Sequence, residues 1–280
     1  MRVAVTGAGG RLGSAFLTRA GDMHDVVPFL HDALDVTDGT GVTAAIGGAR
    51  PDVVIHAAAM TAVDACELDP VNAYRVNALG TRNVALACRR AGATLVAIST
   101  DYVFDGEKGA LYHEFDRPHP ISVYGASKLA GEREARLAPE HVIVRTSWVF
   151  GGGGDFLGGA LRKLAAGETI SAIADLMGTP TFVGHLADRL VPLVQAGHRG
   201  VVHLAGGEPT SWYDLLTETV GRFGMPGQVT PQKAEELARP APRPRAPALT
   251  SLVLPSDGPL AMPPLADGIR EVLEGADGRA

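Results

Sequence analysis

Short apolar runs recur along the chain at Val3–Val5, Val26–Leu30, Val53–Ile55, Leu95–Ile98 and Val142–Val144, and stretches of helical character separate them. Runs this short suit strands buried on both faces, and their alternation with helices predicts βαβ units around a parallel sheet. Arg11–Ala20 predicts a helix between the first two strands, and Val71–Ala91 a longer one before the Leu95 run; both carry the Ala and Leu that favour helix. An order of this kind gives the doubly wound α/β architecture, whose ligands bind beyond the carboxyl ends of the strands.

The pattern changes near residue 150. Gly151–Gly154 is a run of four glycines, and shorter units follow, ending in a strand at Gly200–Leu204 and a helix at Trp212–Phe223. We therefore expect a first unit over 1–150, rejoined by part of 184–204, and a smaller C-terminal lobe over 151–280. Ten of the nineteen prolines fall between Pro226 and Pro264, which excludes regular helix or central strand there and predicts a loop-rich wrap or lid. The last helix is expected at Leu265–Leu273, with Gly275–Ala280 frayed.

Composition narrows the partners more than the fold. At 46% apolar content the chain can bury a sizeable core, so disorder is excluded as its main theme. With 31 acidic against 25 basic side chains the net charge is −6, and nothing draws the chain globally to a nucleic acid backbone. No segment reaches the roughly 20 apolar residues of a membrane span, and Arg2–Gly7 lacks the pattern of a signal peptide, so a cytoplasmic protein is expected. The two cysteines, Cys66 and Cys88, have no His or Cys at ligand spacing and read as buried structural thiols.

Gly7-Ala8-Gly9-Gly10-Arg11-Leu12-Gly13 follows the first predicted strand and opens the first helix. In that context Gly7, Gly10 and Gly13 permit a tight turn, close approach to a pyrophosphate and close helix-to-sheet packing, with the helix N-terminus facing the anion. At the end of the second strand Asp32 could hold the ribose of NAD, whereas Arg11 inside the turn suits a 2′-phosphate; the arginine tips the expectation towards NADPH over NADH. The third strand ends in Ala57, Ala58 and Ala59, small enough for a planar ring to lie against the backbone.

Tyr124 and Lys128 stand four apart in Tyr-Gly-Ala-Ser-Lys, on one face of a predicted helix. The ammonium is expected to favour phenolate and lower the tyrosine pKa towards that of a working general acid. Ser99 and Thr100 place hydroxyls at the carboxyl end of the fourth strand, where one can orient a carbonyl beside Tyr124.

With these segments in this order, the chain resembles the extended short-chain dehydrogenase/reductases and, within them, the dTDP-4-dehydrorhamnose reductases. The likeness covers roughly residues 1–220: the glycine turn at 7–13, Arg-Pro-Asp-Val-Val-Ile-His-Ala-Ala-Ala at 50–59 with Thr61-Ala62-Val63-Asp64, and Ser-Thr-Asp-Tyr-Val-Phe at 99–104. It continues with Val-Tyr-Gly-Ala-Ser-Lys-Leu-Ala-Gly-Glu at 123–132, Arg-Thr-Ser-Trp-Val-Phe at 145–150 and Gly-Thr-Pro-Thr at 178–181. The resemblance implies a Rossmann domain with a substrate-binding lobe, and NADPH- or NADH-dependent reduction of the C4 ketone of a dTDP-4-keto-6-deoxysugar. It implies Thr100, Tyr124 and Lys128 as the catalytic triad, with Tyr124 the proton donor and Lys128 on the nicotinamide ribose. Cofactor contacts fall on Gly7, Gly10, Arg11, Leu12, Gly13, Asp35, Val36, Ala57, Ala58, Ala59, Thr61, Tyr124 and Lys128, and nucleotide-sugar contacts on Thr100, Asp101, Tyr124 and Trp148. The Trp148 indole would offer a flat face and one N–H donor. No metal is implied, and a homodimer is an assembly open to such a chain.

The chain departs from the family at Arg243-Pro244-Arg245-Ala246-Pro247-Ala248, where an Arg-Pro-x-Asn-Ser segment is usual; Arg243 and Arg245 stand as candidate diphosphate ligands. Two other functions share these motifs: an epimerase or dehydratase that retains its NAD, and a non-catalytic cofactor-binding regulatory subunit. A proton donor beside a lysine favours the reductase over the latter.

Overall fold

The computed structural model describes residues 1–277. In chain order the first part comprises β1 (Arg2–Thr6), α1 (Arg11–Ala20), β2 (Asp25–Phe29), α2 (Gly39–Ala49), β3 (Val53–His56), α3 (Val63–Leu68), α4 (Pro70–Tyr74), α5 (Thr81–Ala91), β4 (Thr94–Thr100), α6 (Val123–Ala135) and β5 (His141–Thr146). The second comprises β6 (Val149–Phe150), α7 (Phe156–Ala165), β7 (Thr169–Ile173), β8 (Thr181–Phe182), α8 (Val183–Gln195), β9 (Gly200–His203), α9 (Trp212–Phe223), β10 (Gln228–Gln232) and α10 (Leu265–Asp277).

The main sheet has six parallel strands in the order β2-β1-β3-β4-β5-β9. Successive side chains of each strand enter opposite layers. Val3, Val5, Ile55, Val96 and Val144 pack against α1 and α8, through Phe16, Leu186 and Leu190. Ala4, Val54, Leu95 and Ile143 pack on the other side with Val42, Ile46, Val84 and Cys88. This two-sided burial is why the strands read as unbroken apolar runs. The winding reverses between β1 and β3, and the crevice beyond their carboxyl ends is the place such a fold offers a ligand. Two small parallel pairs, β7 with β10 and β6 with β8, complete the C-terminal part.

Three expectations need revision. The predicted helix over Val71–Ala91 is interrupted: Arg75–Gly80 forms a π-helical turn between α4 and α5. The wrap over 226–264 contains β10, which accommodates Pro231 because it pairs on one side only, with β7. The last helix runs to Asp277 rather than Leu273, so Gly275 to Asp277 continue it instead of fraying; 278–280 lie outside the described residues. Cys66 and Cys88 are both free and buried, as expected. No helix among the described residues is long and apolar enough to cross a membrane.

Candidate active site

The glycine turn is built for close approach. Gly7 has φ +69°, and a Cβ there would lie 2.6 Å from the Ala58 nitrogen; at Gly13 it would lie 2.4 Å from the Gly7 carbonyl oxygen. Any side chain would collide with backbone at both positions, and Gly7 would add the cost of a left-handed conformation. The Gly7–Ala58 contact brings the turn against the alanine-rich end of β3. Gly10 caps α1 without a side-chain hydrogen bond, so the first amides of the helix point beyond the sheet with no local acceptor from the cap. Arg11 is exposed beside them, and Leu12 is buried beneath.

The other cofactor candidates flank this turn. Ala57, Ala58 and Ala59 are half-buried and Thr61 is exposed. Asp35 is exposed, its carboxylate accepting from the Thr37 amide at 2.8 Å, and that hydrogen bond holds it below the usual carboxylate range. Val36 is buried and packs on Gly80. Asp32 is exposed in the turn after β2.

Thr100, Asp101, Tyr124 and Lys128 converge at the carboxyl end of β4. The Ser122 hydroxyl starts α6 by accepting from the Gly125 amide at 3.2 Å, and the Glu67 carboxylate accepts from Val123 N–H at 3.0 Å. At Gly125 a Cβ would lie 2.0 Å from the Tyr102 carbonyl oxygen, so only glycine lets α6 sit this close to the turn after β4. The Thr100 hydroxyl donates to Asp101 Oδ1 at 2.9 Å and lies in hydrogen-bonding reach of the Tyr124 phenol. Tyr102 meets Tyr124 edge to face, with centroids 5.6 Å apart. Burial pushes Asp101 up to about 6, offset in part by hydrogen bonds from Ser147 and Thr100.

One electrostatic expectation is reversed. Burial pushes the Tyr124 phenol above its ordinary value, the Thr100 hydrogen bond opposes this, and Lys128 is not among the groups that lower it. Lys128 itself is buried, and desolvation brings it down to about 8. The phenol is therefore held further from ionisation than an ordinary tyrosine, chiefly by burial.

Trp148 follows β5, reached from Asp101 through the Ser147 hydroxyl, which donates to Asp101 Oδ2 at 2.7 Å. Its backbone has φ +42°, a strained value for so large a residue. Trp212 stacks on the indole at 4.4 Å and 10°, and a Cβ at Gly178 would lie 2.3 Å from Cε2. Trp212 and Gly178 are thus both pressed on the Trp148 ring system. Trp212 had no distinguishing neighbour in the sequence; only the fold shows it as a support. Of the two candidate diphosphate ligands in the wrap, Arg243 holds the Asp64 carboxylate with two hydrogen bonds, 2.5 and 2.7 Å long, and Arg245 is exposed.

Asn77 is a further residue whose place emerges only in the fold. It is buried in the π-helical turn, accepts from Met60 N–H at 2.8 Å, and donates to the Met60 carbonyl at 3.0 Å and to Ser127 Oγ at 2.9 Å. It thus ties the loop after β3 to the helix bearing Tyr124 and Lys128. His56, between Thr6 and Thr81 hydroxyls at 2.7 and 3.1 Å, is pushed down to about 3 by burial and is a neutral structural histidine.

Residues 1–277 match the family model described as RmlD substrate binding domain. The chain is 41% identical to a dTDP-4-dehydrorhamnose reductase of Streptomyces griseus, over 86% of this chain and 83% of that one. It is 38% identical to a probable dTDP-4,6-dihydroxy-2-methyloxan-3-one 4-ketoreductase of Streptomyces antibioticus, over 87% of this chain and 85% of that one. The crystal structure of a dTDP-4-dehydrorhamnose reductase from Bacillus anthracis in complex with NADP superimposes with a TM-score of 0.92 at 36% identity, covering 98% of this chain and 99% of that chain.

Proposed function

The chain belongs to the dTDP-4-dehydrorhamnose reductase family, and from that premise we propose that it reduces the C4 ketone of a dTDP-4-keto-6-deoxysugar at the expense of NADPH. The observation that carries the reading is the half-buried Tyr124 phenol within reach of the Thr100 hydroxyl, one helical turn from the buried Lys128 and beyond the sheet end that holds the glycine turn.

The residues present fit a dinucleotide. The cradle that a Cβ at Gly7 or Gly13 would fill and the uncapped start of α1 suit a pyrophosphate, and Arg11 suits a 2′-phosphate. Lys128 suits the hydroxyls of the nicotinamide ribose. When bound, NADPH supplies the hydride that C4 receives. The Thr100 hydroxyl orients the ketone oxygen by turning from Asp101 to donate to it. Tyr124 gives its proton to that oxygen as the C–O double bond becomes single, leaving a phenolate. Asp101 holds the Thr100 hydroxyl until the ketone arrives, and Trp148, held by Trp212, contacts the sugar nucleotide.

Incubation with NADPH and dTDP-4-dehydro-6-deoxy-L-mannose, followed at 340 nm and by mass spectrometry, tests the proposal. Sugar-dependent NADPH oxidation with a product two hydrogens heavier is expected; cofactor that copurifies and never exchanges points instead to the epimerase or dehydratase reading. Replacing Trp212 with Ala removes a stacking partner worth about 1 kcal/mol and frees the strained Trp148 to relax. The expected result is a sugar-nucleotide KM raised by roughly tenfold with NADPH affinity unchanged; an unchanged KM would detach Trp148 from the substrate.

A further inference from the structure

Glu132 lies one turn beyond Lys128 on α6 and is as buried as its ion-pair partner, each side chain being 4% exposed. Its Oε1 accepts from Ser99 Oγ at 2.6 Å and from Arg145 Nε at 2.8 Å, and its Oε2 accepts from Arg145 Nη2 at 2.7 Å. Ser99 precedes Thr100, so one carboxylate joins the Tyr124–Lys128 helix to the strand end bearing the hydroxyl and to β5. The Arg145 guanidinium is itself held over the Phe104 ring at 5.1 Å and beside His203 at 3.4 Å.

A buried pair of this kind is not retained for stability alone, since apolar residues of similar volume often serve as well. The surroundings of Lys128 supply a second reason. On α6 itself Tyr124 is a neutral phenol. Cys66 on α3 is pushed above its usual range by burial and stays a thiol, and His56 on β3 is neutral. Glu67 on α3 is turned to the amide at the start of α6, and Asp101 after β4 to Thr100 and Ser147. Arg145 on β5 is positive and can only repel. Glu132 is the charge that most opposes the desolvation of Lys128.

We propose that Glu132 is a positioning residue for the reaction: its carboxylate, fixed by Arg145 and Ser99, is the counter-charge of the buried Lys128 ammonium and seats α6 against the strand end that carries Thr100. The proposal rests on the reading that Lys128 serves the cofactor.

The test follows NADPH affinity of the full chain by fluorescence across pH 6–10, beside Tm and the steady-state constants. Lys128 is charged below its pKa of about 8 and loses that charge above it, so affinity in the parent weakens as pH rises through 8. In Glu132→Gln the limb moves about one pH unit lower, a shift of the size a neighbouring charge produces. The pair variant Glu132→Gln/Arg145→Met removes the stranded arginine as well; its Tm returns towards the parent while the limb stays below the parent's, by less than in Glu132→Gln because the repelling Arg145 charge is gone too. Ser99→Ala, which only loosens Glu132, moves the limb the same way by less. A limb at the parent pH in a pair variant of parental Tm, or in Ser99→Ala, overturns the proposal by reducing Glu132 to a packing role. Lys128→Met is the control: loss of the limb supports the reading beneath the proposal, and an intact limb overturns both.

Discussion

Replacing Tyr124 with Phe lowers the rate of ketone reduction by a factor of about 10²–10⁴, the range a positioned proton donor supplies. The ring remains to pack edge to face on Tyr102, so the pocket keeps its shape and only the proton is lost. Without it the oxygen developing negative charge at C4 must take a proton from water, because the Thr100 hydroxyl can orient that oxygen but is too weak an acid to supply the proton. The loss should fall on kcat, with NADPH affinity by fluorescence retained, because the cradle at Gly7 and Gly13 is untouched. A Phe variant turning over like the parent at 340 nm would remove Tyr124 from the chemistry.

Arg145→Met carries the largest expected cost in stability, about 3–5 kcal/mol, as is typical when one member of a buried pair is stranded. The Glu132 carboxylate loses two of its three hydrogen bonds and keeps only Ser99. In water-free surroundings such a group must take up a proton or draw in solvent, and either disturbs the packing of α6 on β4. Urea unfolding followed by circular dichroism should show the midpoint falling in Arg145→Met and recovering in the pair variant that also removes the carboxylate. An Arg145→Met midpoint equal to the parent's would mean that the pair is solvated in a way its burial does not suggest.

The main sheet was legible because its central strands are buried on both faces: Val3–Val5, Val53–Ile55 and Val142–Val144 leave no polar position to confuse the pattern. The glycine turn was legible because its reasons are local, a φ of +69° at Gly7 and the contact of Gly13 with Gly7 and Ala8. What escaped depends on distance along the chain. Arg243 meets a carboxylate 179 residues away at Asp64, so the sequence shows a free cation where the fold shows a pair. The direction of the Tyr124 shift is set by burial, which Lys128 four residues on does not report. The π-helical turn at Arg75–Gly80 hides inside a stretch whose composition reads as uniform helix, and Asn77 acquires its partners Met60 and Ser127 only once that turn is formed.

The place of β9 in the main sheet bears on how the chain is made. β9 pairs along β5, with Val142 opposite Gly200 and Arg145 opposite His203, and α8 packs on α1 from the same late part of the chain. A ribosome delivering roughly 5–20 residues per second releases β5 seconds before its neighbour exists. During that interval the nascent sheet ends in a bare strand rich in Val and Ile, and the apolar layer awaiting α8 is open. The main sheet is thus finished by residues translated after β6, α7, β7 and β8, so the early and late parts of the sequence mature together rather than one after the other.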